Sequence, residues 1–158
     1  MKVLITGCAG FIGYHLATSL LNKKKIQVYG LDNLNKINDY KLKFSRLKNL
    51  KKYKNFNFYK LDITNKKEIF KNFKKNKYEI VVHLAANAGV RKSIKDPEIY
   101  LKNNITGFFN IIEASRFFTI KNFLYASTSS VYGENTKLPS KESDNTDKPK
   151  SFYAATKK

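Results

Sequence analysis

Thr6-Gly7-Cys8-Ala9-Gly10-Phe11-Ile12-Gly13 is the stretch that decides the fold of this 158-residue chain. The run that leads into it, residues 2–6 (KVLIT), is short, apolar and closed by glycine, the pattern of a strand buried in a parallel sheet. Beyond it, over residues 11–21, Ile12, Leu16 and Leu20 recur every four positions, as one face of a helix requires. The octapeptide is therefore a strand–turn–helix junction with glycines at 7, 10 and 13. Gly7 suits a tight turn, Gly10 the close approach of a phosphate-bearing ligand, and Gly13 close packing of helix on strand. A helix that starts there presents free N–H groups and a positive dipole end to phosphates.

Outward from this junction the two patterns keep alternating. Residues 26–31 (IQVYGL) predict a second strand, 42–53 a basic amphipathic helix carrying Leu42, Leu47 and Leu50, and 56–61 a third strand. Residues 66–75 predict a short helix with Ile69, Phe70 and Phe73 on one side. The run 78–85 (YEIVVHLA) is the most apolar strand and belongs near the centre of the sheet, with His83 as a packed strand residue. Asp96 and Pro97 suit the N-cap and first position of a long helix to about residue 118. Residues 122–127 predict a fifth strand, and 133–150, rich in Asn, Lys, Ser, Asp and Pro, an irregular loop. Such alternation implies an α/β fold, a doubly wound parallel sheet covered on both faces.

Composition narrows the class. Hydrophobic residues make up 42%, which argues against disorder. The length suits one domain, 1–158. No apolar run approaches the length of a membrane span, and the first residues enter a strand pattern rather than a leader's zones. The single cysteine, Cys8, excludes a disulfide framework and a thiolate metal cluster and suits a reducing, cytoplasmic setting; no metal site is expected. The net charge of +19 is concentrated: residues 36–77 carry 15 basic residues against three acids. Only Arg46, Arg91 and Arg116 among the 31 basic residues are arginine, the residue that base readout and phosphate forks favour. The charge therefore reads as a solvated lysine face, and neither nucleic acid nor a membrane is an expected partner.

Two constellations carry chemistry. Asp32 closes the second strand 19 residues after Gly13, close to the spacing at which an acid accepts hydrogen bonds from a dinucleotide's ribose. A carboxylate there would repel a 2′-phosphate, so NAD is favoured over NADP. Near the C-terminus, Tyr153 and Lys157 stand four apart and would share one helix face. An ammonium beside a phenol favours the phenolate and makes it a usable base. Ser127-Thr128-Ser129-Ser130 follows the fifth strand, at the edge where open α/β sheets bind ligands.

Taken in order, TGCAGFIG, LDN, LDI, HLAA, NNITG, STSSVYG and YAATK resemble the extended short-chain dehydrogenase/reductase family of nucleotide-sugar epimerases and dehydratases. The resemblance implies a Rossmann-type domain with NAD held by Gly7, Gly10, Phe11, Ile12, Gly13, Asp32, Asn33, Asp62 and Ile63. It places Leu84, Ala85, Ala86 and Asn104 around the same cofactor. It also implies a catalytic set of Thr128, Tyr153 and Lys157, with Tyr153 as base and Lys157 on the nicotinamide ribose.

The dehydratases of this family carry Asp-Glu after the threonine, and the decarboxylases a Glu before Val-Tyr-Gly. Here Ser129 and Ser130 stand instead, which disfavours elimination and leaves 4-epimerisation. LDNLN and AANAGVRKS look most like UDP-glucuronate 4-epimerases, although Asn87 stands where those commonly have Gln. Neutral hydroxyls at Thr128, Ser129 and Ser130 can hold a sugar carboxylate, and Arg91 either helps bind the diphosphate or forms a surface ion pair. The expectation is an N-terminal, NAD-binding part that stops short of the substrate-binding region and is inactive alone. At full length it is expected to be a homodimer acting on a UDP-sugar. Left open beside it are a non-catalytic NAD-binding fragment, a UDP-glucose 4-epimerase or dehydratase relative, and a polyanion binder that explains only the charge.

Overall fold

A computed structural model of the chain describes residues 1–35, 40–134 and 138–158. Lys36 and Asp39 of the basic stretch, and residues 135–137 of the expected irregular loop, lie outside the described residues. The chain divides into two compact units. The first comprises Met1–Ala85 and Gly107–Tyr125, the second Ala86–Thr106 and Ala126–Lys158.

The first unit holds the sheet. Strands β1 (Lys2–Thr6), β2 (Gln27–Asp32), β3 (Phe56–Lys60), β4 (Ile80–His83) and β5 (Asn122–Tyr125) lie in the order β3-β2-β1-β4-β5. Every neighbouring pair is parallel, with Thr6 opposite both Leu31 and His83. This is the doubly wound arrangement, with β1 at the centre and β4 beside it. Alternate β1 side chains enter opposite layers. Val3 and Ile5 pack with Ala17, Leu21, Val28, Leu47 and Leu50 on one face. Leu4 packs with Tyr29, Leu31, Ile69, Phe73, Val81 and Ile111 on the other. Burial of such a side chain contributes roughly 1.5–3 kcal/mol.

Helices α1 (Phe11–Leu21), α2 (Tyr40–Leu50) and α3 (Lys66–Asn76) cover the faces, with α6 (Phe108–Phe117) completing the layer over Leu4. Asn65 caps α3 by accepting from the Glu68 N–H. On two helices the inward face is shifted from the expected apolar stripe, although Leu16, Leu20, Leu47 and Leu50 of that stripe do pack on the core. On α1 the buried residues are Gly13, Ala17 and Leu21, whereas Ile12 is exposed. Small side chains bring that helix close to the sheet, so closeness rather than bulk selects the face. On α2 the buried stripe is Lys43, Leu47 and Leu50, and Leu42 points outward. Among the described residues, no helix is long and apolar enough to cross a membrane.

The second unit is built of short pieces. It contains α4 (Val90–Lys95), α5 (Pro97–Tyr100), most of a π-helical stretch (Leu101–Gly107), a 3₁₀ turn (Ser129–Tyr132) and α7 (Phe152–Ala155). The single long helix predicted from residue 97 is thus three successive segments, the last being α6. Pro97 takes the first helical position as expected, but Asp96 makes no side-chain cap. Helix α4 went unforeseen because neither of its ends carries a capping side chain.

Candidate dinucleotide site and tyrosine–lysine segment

In the first unit the glycine loop is fixed by backbone contacts. Gly7 has φ +71, a conformation side chains resist, and its N–H donates to the Leu31 carbonyl at 2.7 Å. A Cβ on Gly7 would lie 2.8 Å from the Ala85 nitrogen. A Cβ on Gly13 would lie 2.3 Å from the Gly7 carbonyl oxygen, so α1 starts as near the loop as a chain can come. The Gly10 N–H donates to the Gly7 carbonyl at 3.0 Å, and Gly10 forms the N-cap of α1. No side chain caps that end and no acid stands in its first turn. Its first N–H groups, with Phe11 and Ile12 exposed beside them, are therefore available to an anion.

The Thr6 hydroxyl locks the loop to β4. It accepts from the Leu84 and Ala85 N–H groups, each at 3.1 Å. It also lies 2.8 Å from His83 Nδ1, a hydrogen bond across the sheet. His83 is buried, with Phe108 and Phe123 against its ring.

Asp32, at the end of β2, is buried and already organises the loop. One carboxylate oxygen accepts from the Ala9 N–H at 3.1 Å, the other from the Leu34 N–H at 2.9 Å. Each oxygen keeps a further lone pair for a ribose hydroxyl. Burial, and then the Asp32 charge, push the Cys8 thiol well up, so Cys8 is a packed thiol and not a nucleophile. Asn33 donates to Asp62 at 2.9 Å, joining the ends of β2 and β3, while Asp62 holds Thr64 by its N–H and hydroxyl. Ile63 is buried, and its carbonyl accepts from Asn110 at 2.9 Å.

Helix α2 adds two cations that sequence reasoning passed over. Arg46 donates to the Ala9 carbonyl at 3.4 Å and lies over the exposed Phe11 ring. Lys43 is buried and donates to Asn35 at its carbonyl and side-chain oxygens. The signal was present: Lys43 stands four before Leu47 and seven before Leu50, in the buried stripe.

The second unit carries the remaining candidates. Helix α7 is one turn long, capped by the Ser151 hydroxyl on the Ala154 N–H. Lys157 lies past its end, in a turn whose N–H returns to the Ala154 carbonyl. The predicted shared helix face is therefore a helix followed by a turn. The Thr156 hydroxyl donates to the Tyr153 carbonyl at 2.8 Å, and the Lys158 N–H donates to the Ala154 carbonyl at 3.1 Å. The Tyr153 N–H donates to the Ser93 hydroxyl at 3.1 Å, and its ring meets Tyr100 edge-on. The Lys157 ammonium donates to the Ala126 carbonyl at 3.0 Å, and burial lowers its pKa. Asn104, buried in the π-helical stretch, accepts from the Asn87 N–H and donates to the Asn87 carbonyl and the Thr156 hydroxyl.

Thr128 caps the 3₁₀ turn, its hydroxyl oxygen 3.3 Å from the Ser130 nitrogen and 3.4 Å from the Ser130 hydroxyl. Ser129 and Arg91 are exposed, and no ion pair engages Arg91 among the described residues. Among the described residues no three His, Cys, Asp or Glu side chains group as a metal ion needs. Chemically, the first unit offers an anion-receptive helix start with a carboxylate acceptor. The second offers a phenol, a partly desolvated ammonium and neutral hydroxyls.

A family model described as GDP-mannose 4,6 dehydratase matches residues 4–158. Protein CapI of Staphylococcus aureus is 52% identical over 158 residues, which is 100% of this chain and 47% of that protein. A UDP-glucuronate 4-epimerase of Thermodesulfobacterium geofontis is 46% identical over 155 residues, 98% of this chain and 47% of that protein. The crystal structure of UDP-glucuronic acid 4-epimerase from Bacillus cereus, in complex with UDP-glucuronic acid and NAD, superposes with a TM-score of 0.90 at 37% identity. It covers 99% of this chain and 49% of that one. The chain thus spans about half the length of the relatives it matches.

Proposed function

The chain belongs to the GDP-mannose 4,6 dehydratase family, and from that premise we propose that it is the NAD-binding and base-bearing part of a nucleotide-sugar 4-epimerase acting on UDP-glucuronate. The observation that carries this reading is the glycine loop, where an uncapped helix start and the buried Asp32 carboxylate face the same ligand class. The N–H groups at the start of α1 take the pyrophosphate, and Asp32 accepts from the adenosine ribose and repels a 2′-phosphate. The family resemblance adds Asn33, Asp62, Ile63, Leu84, Ala85, Ala86 and Asn104 as residues around the dinucleotide.

NAD, when bound, accepts the hydride of sugar carbon 4 and returns it. Tyr153 takes the proton of the 4-hydroxyl as the hydride departs, leaving a 4-keto sugar. After the sugar turns over, Tyr153 gives the proton back to the same oxygen while the hydride arrives on the other face. Lys157 stabilises the phenolate form of Tyr153 and binds the nicotinamide ribose, and Thr128 orients the 4-oxygen. Thr128, Ser129 and Ser130 hold the sugar carboxylate with no acid between residues 126 and 133 to repel it. Arg91, exposed and outside any ion pair among the described residues, serves the diphosphate. The exposed Phe109 and Ile112 of α6 suit a homodimer contact. A reducing cytoplasm, where both NAD and nucleotide sugars are met, is the setting that the single buried thiol suits.

The test uses a protein of its relatives' full length that begins with these residues. It should convert UDP-glucuronate to UDP-galacturonate, and Tyr153→Phe should lower turnover roughly 10²–10⁴-fold. Unchanged turnover in that variant would remove Tyr153 from the mechanism. Faster turnover of UDP-glucose than of UDP-glucuronate would overturn the substrate.

A further inference from the structure

The side-chain nitrogen of Asn87 is the buried donor that no contact explains. Asn87 is 9% exposed, yet its Nδ2 has no hydrogen-bond partner among the described residues. Every other polar atom of the residue is engaged. Its N–H donates to Asn104 Oδ1 at 2.8 Å, and its carbonyl accepts from Asn104 Nδ2 at 3.0 Å. Its Oδ1 accepts from Asn103 Nδ2 at 3.4 Å. The backbone is clamped at both ends, and the amide is oriented with its two N–H bonds unspent.

Buried polar atoms are almost always paired, because a donor stripped of water and left unpaired destabilises the fold. An apolar side chain of the same size would avoid that cost at this position. The brace that holds Asn87 also holds the candidate catalytic segment. Asn104 donates to the hydroxyl of Thr156, which stands between Tyr153 and Lys157 and itself bonds the Tyr153 carbonyl. Asn104 sits in the π-helical stretch, a widened turn that recurs at functional sites.

We propose that Asn87 is a ligand-binding residue whose side-chain N–H donates to a hydroxyl or carbonyl oxygen of the molecule that Tyr153 and Lys157 serve. The proposal rests on the function proposed above. The oxygen belongs either to the nicotinamide half of the cofactor or to the sugar.

Three variants read this out: Asn87→Leu removes the donor at similar volume, Asn87→Asp turns it into an acceptor, and Asn87→Gln keeps it. Melting temperatures are taken without ligand, and affinities by titration with NADH and with UDP-glucuronate. Asn87→Leu should melt no lower than the parent protein and bind one of the two ligands about tenfold more weakly, the effect of one hydrogen bond lost from a dry site. Asn87→Asp should lose more, and Asn87→Gln should recover part. A loss confined to NADH assigns the oxygen to the cofactor, and one confined to UDP-glucuronate assigns it to the sugar. Unchanged affinities in Asn87→Leu, or a lower melting temperature with affinities intact, would make the amide a structural or water-bonded group and overturn the proposal.

Should Asn87→Leu fail to fold, the side-chain amide signal of Asn87 in the parent protein decides by NMR, identified by its absence from Asn87→Asp. That signal must move on saturation with one ligand, and a stationary signal overturns the proposal. Parent protein that binds neither ligand would instead defeat the function reading, and this inference with it.

Discussion

The glycine loop and the tyrosine–lysine segment are held in place by different means. In the loop, main chain meets main chain at the glycines, where Gly7 bonds Leu31 and a Cβ on Gly13 would meet the Gly7 carbonyl, and Thr6 and Asp32 add side-chain ties. In the segment, side chains tie down α7 and the residues that follow it. Ser93 holds the Tyr153 N–H, Asn104 holds Thr156, and Ser127 donates to the Lys157 carbonyl. Steric closeness tolerates no added atom, whereas a set of polar ties loses its members one at a time. On the function proposed above, the first design suits the cradle of a pyrophosphate.

The contrast breaks most readily at Gly13. Replacing it with Ala places a methyl 2.3 Å from the Gly7 oxygen, and no flexible side chain stands there to yield. The expected outcome is a loss of about 3 kcal/mol or more in urea unfolding, together with loss of NADH binding. A Gly13→Ala protein that melts and binds like its parent would show that the loop has slack. A smaller change should follow Asn104→Ala, which removes three side-chain hydrogen bonds from the second unit. Roughly 2 kcal/mol of stability should go, at about 1 kcal/mol or less per bond. In a protein of its relatives' full length turnover should fall as well, because the ties it cuts run to Asn87 and Thr156. Unchanged turnover there would show that Asn104 does not support the tyrosine–lysine segment.

The same contrast explains what could be read from the residues alone. Strand β1, the loop and α1 were legible to the residue, because an apolar run, three glycines and an acid at fixed spacing are all local signals. The buried side of α1 was not, since Gly13 and Ala17 win their place by smallness, which an apolar stripe does not register. Lys43 was passed over for a related reason: its place in the stripe was visible, but a lysine there reads as surface until Asn35 is seen to receive its ammonium. In the second unit the Tyr153 and Lys157 spacing was visible, but their support was not. The bonds from Asn104 to Asn87 and to Thr156 span 17 and 52 residues, and no periodicity announces such pairs. The π-helical turn likewise follows from no propensity, and it split the helix predicted from Asp96 and Pro97 to about residue 118.

The central claim is that the first unit is a cradle for NAD, with Asp32 setting its preference. A fluorescence titration with NADH, and NADPH in parallel, tests it most directly in protein shown to be folded by its circular dichroism. Saturable NADH binding at least tenfold tighter than NADPH, with the preference lost in Asp32→Ala, is the predicted result. Equal affinity for the two, or no binding of either, would contradict the account.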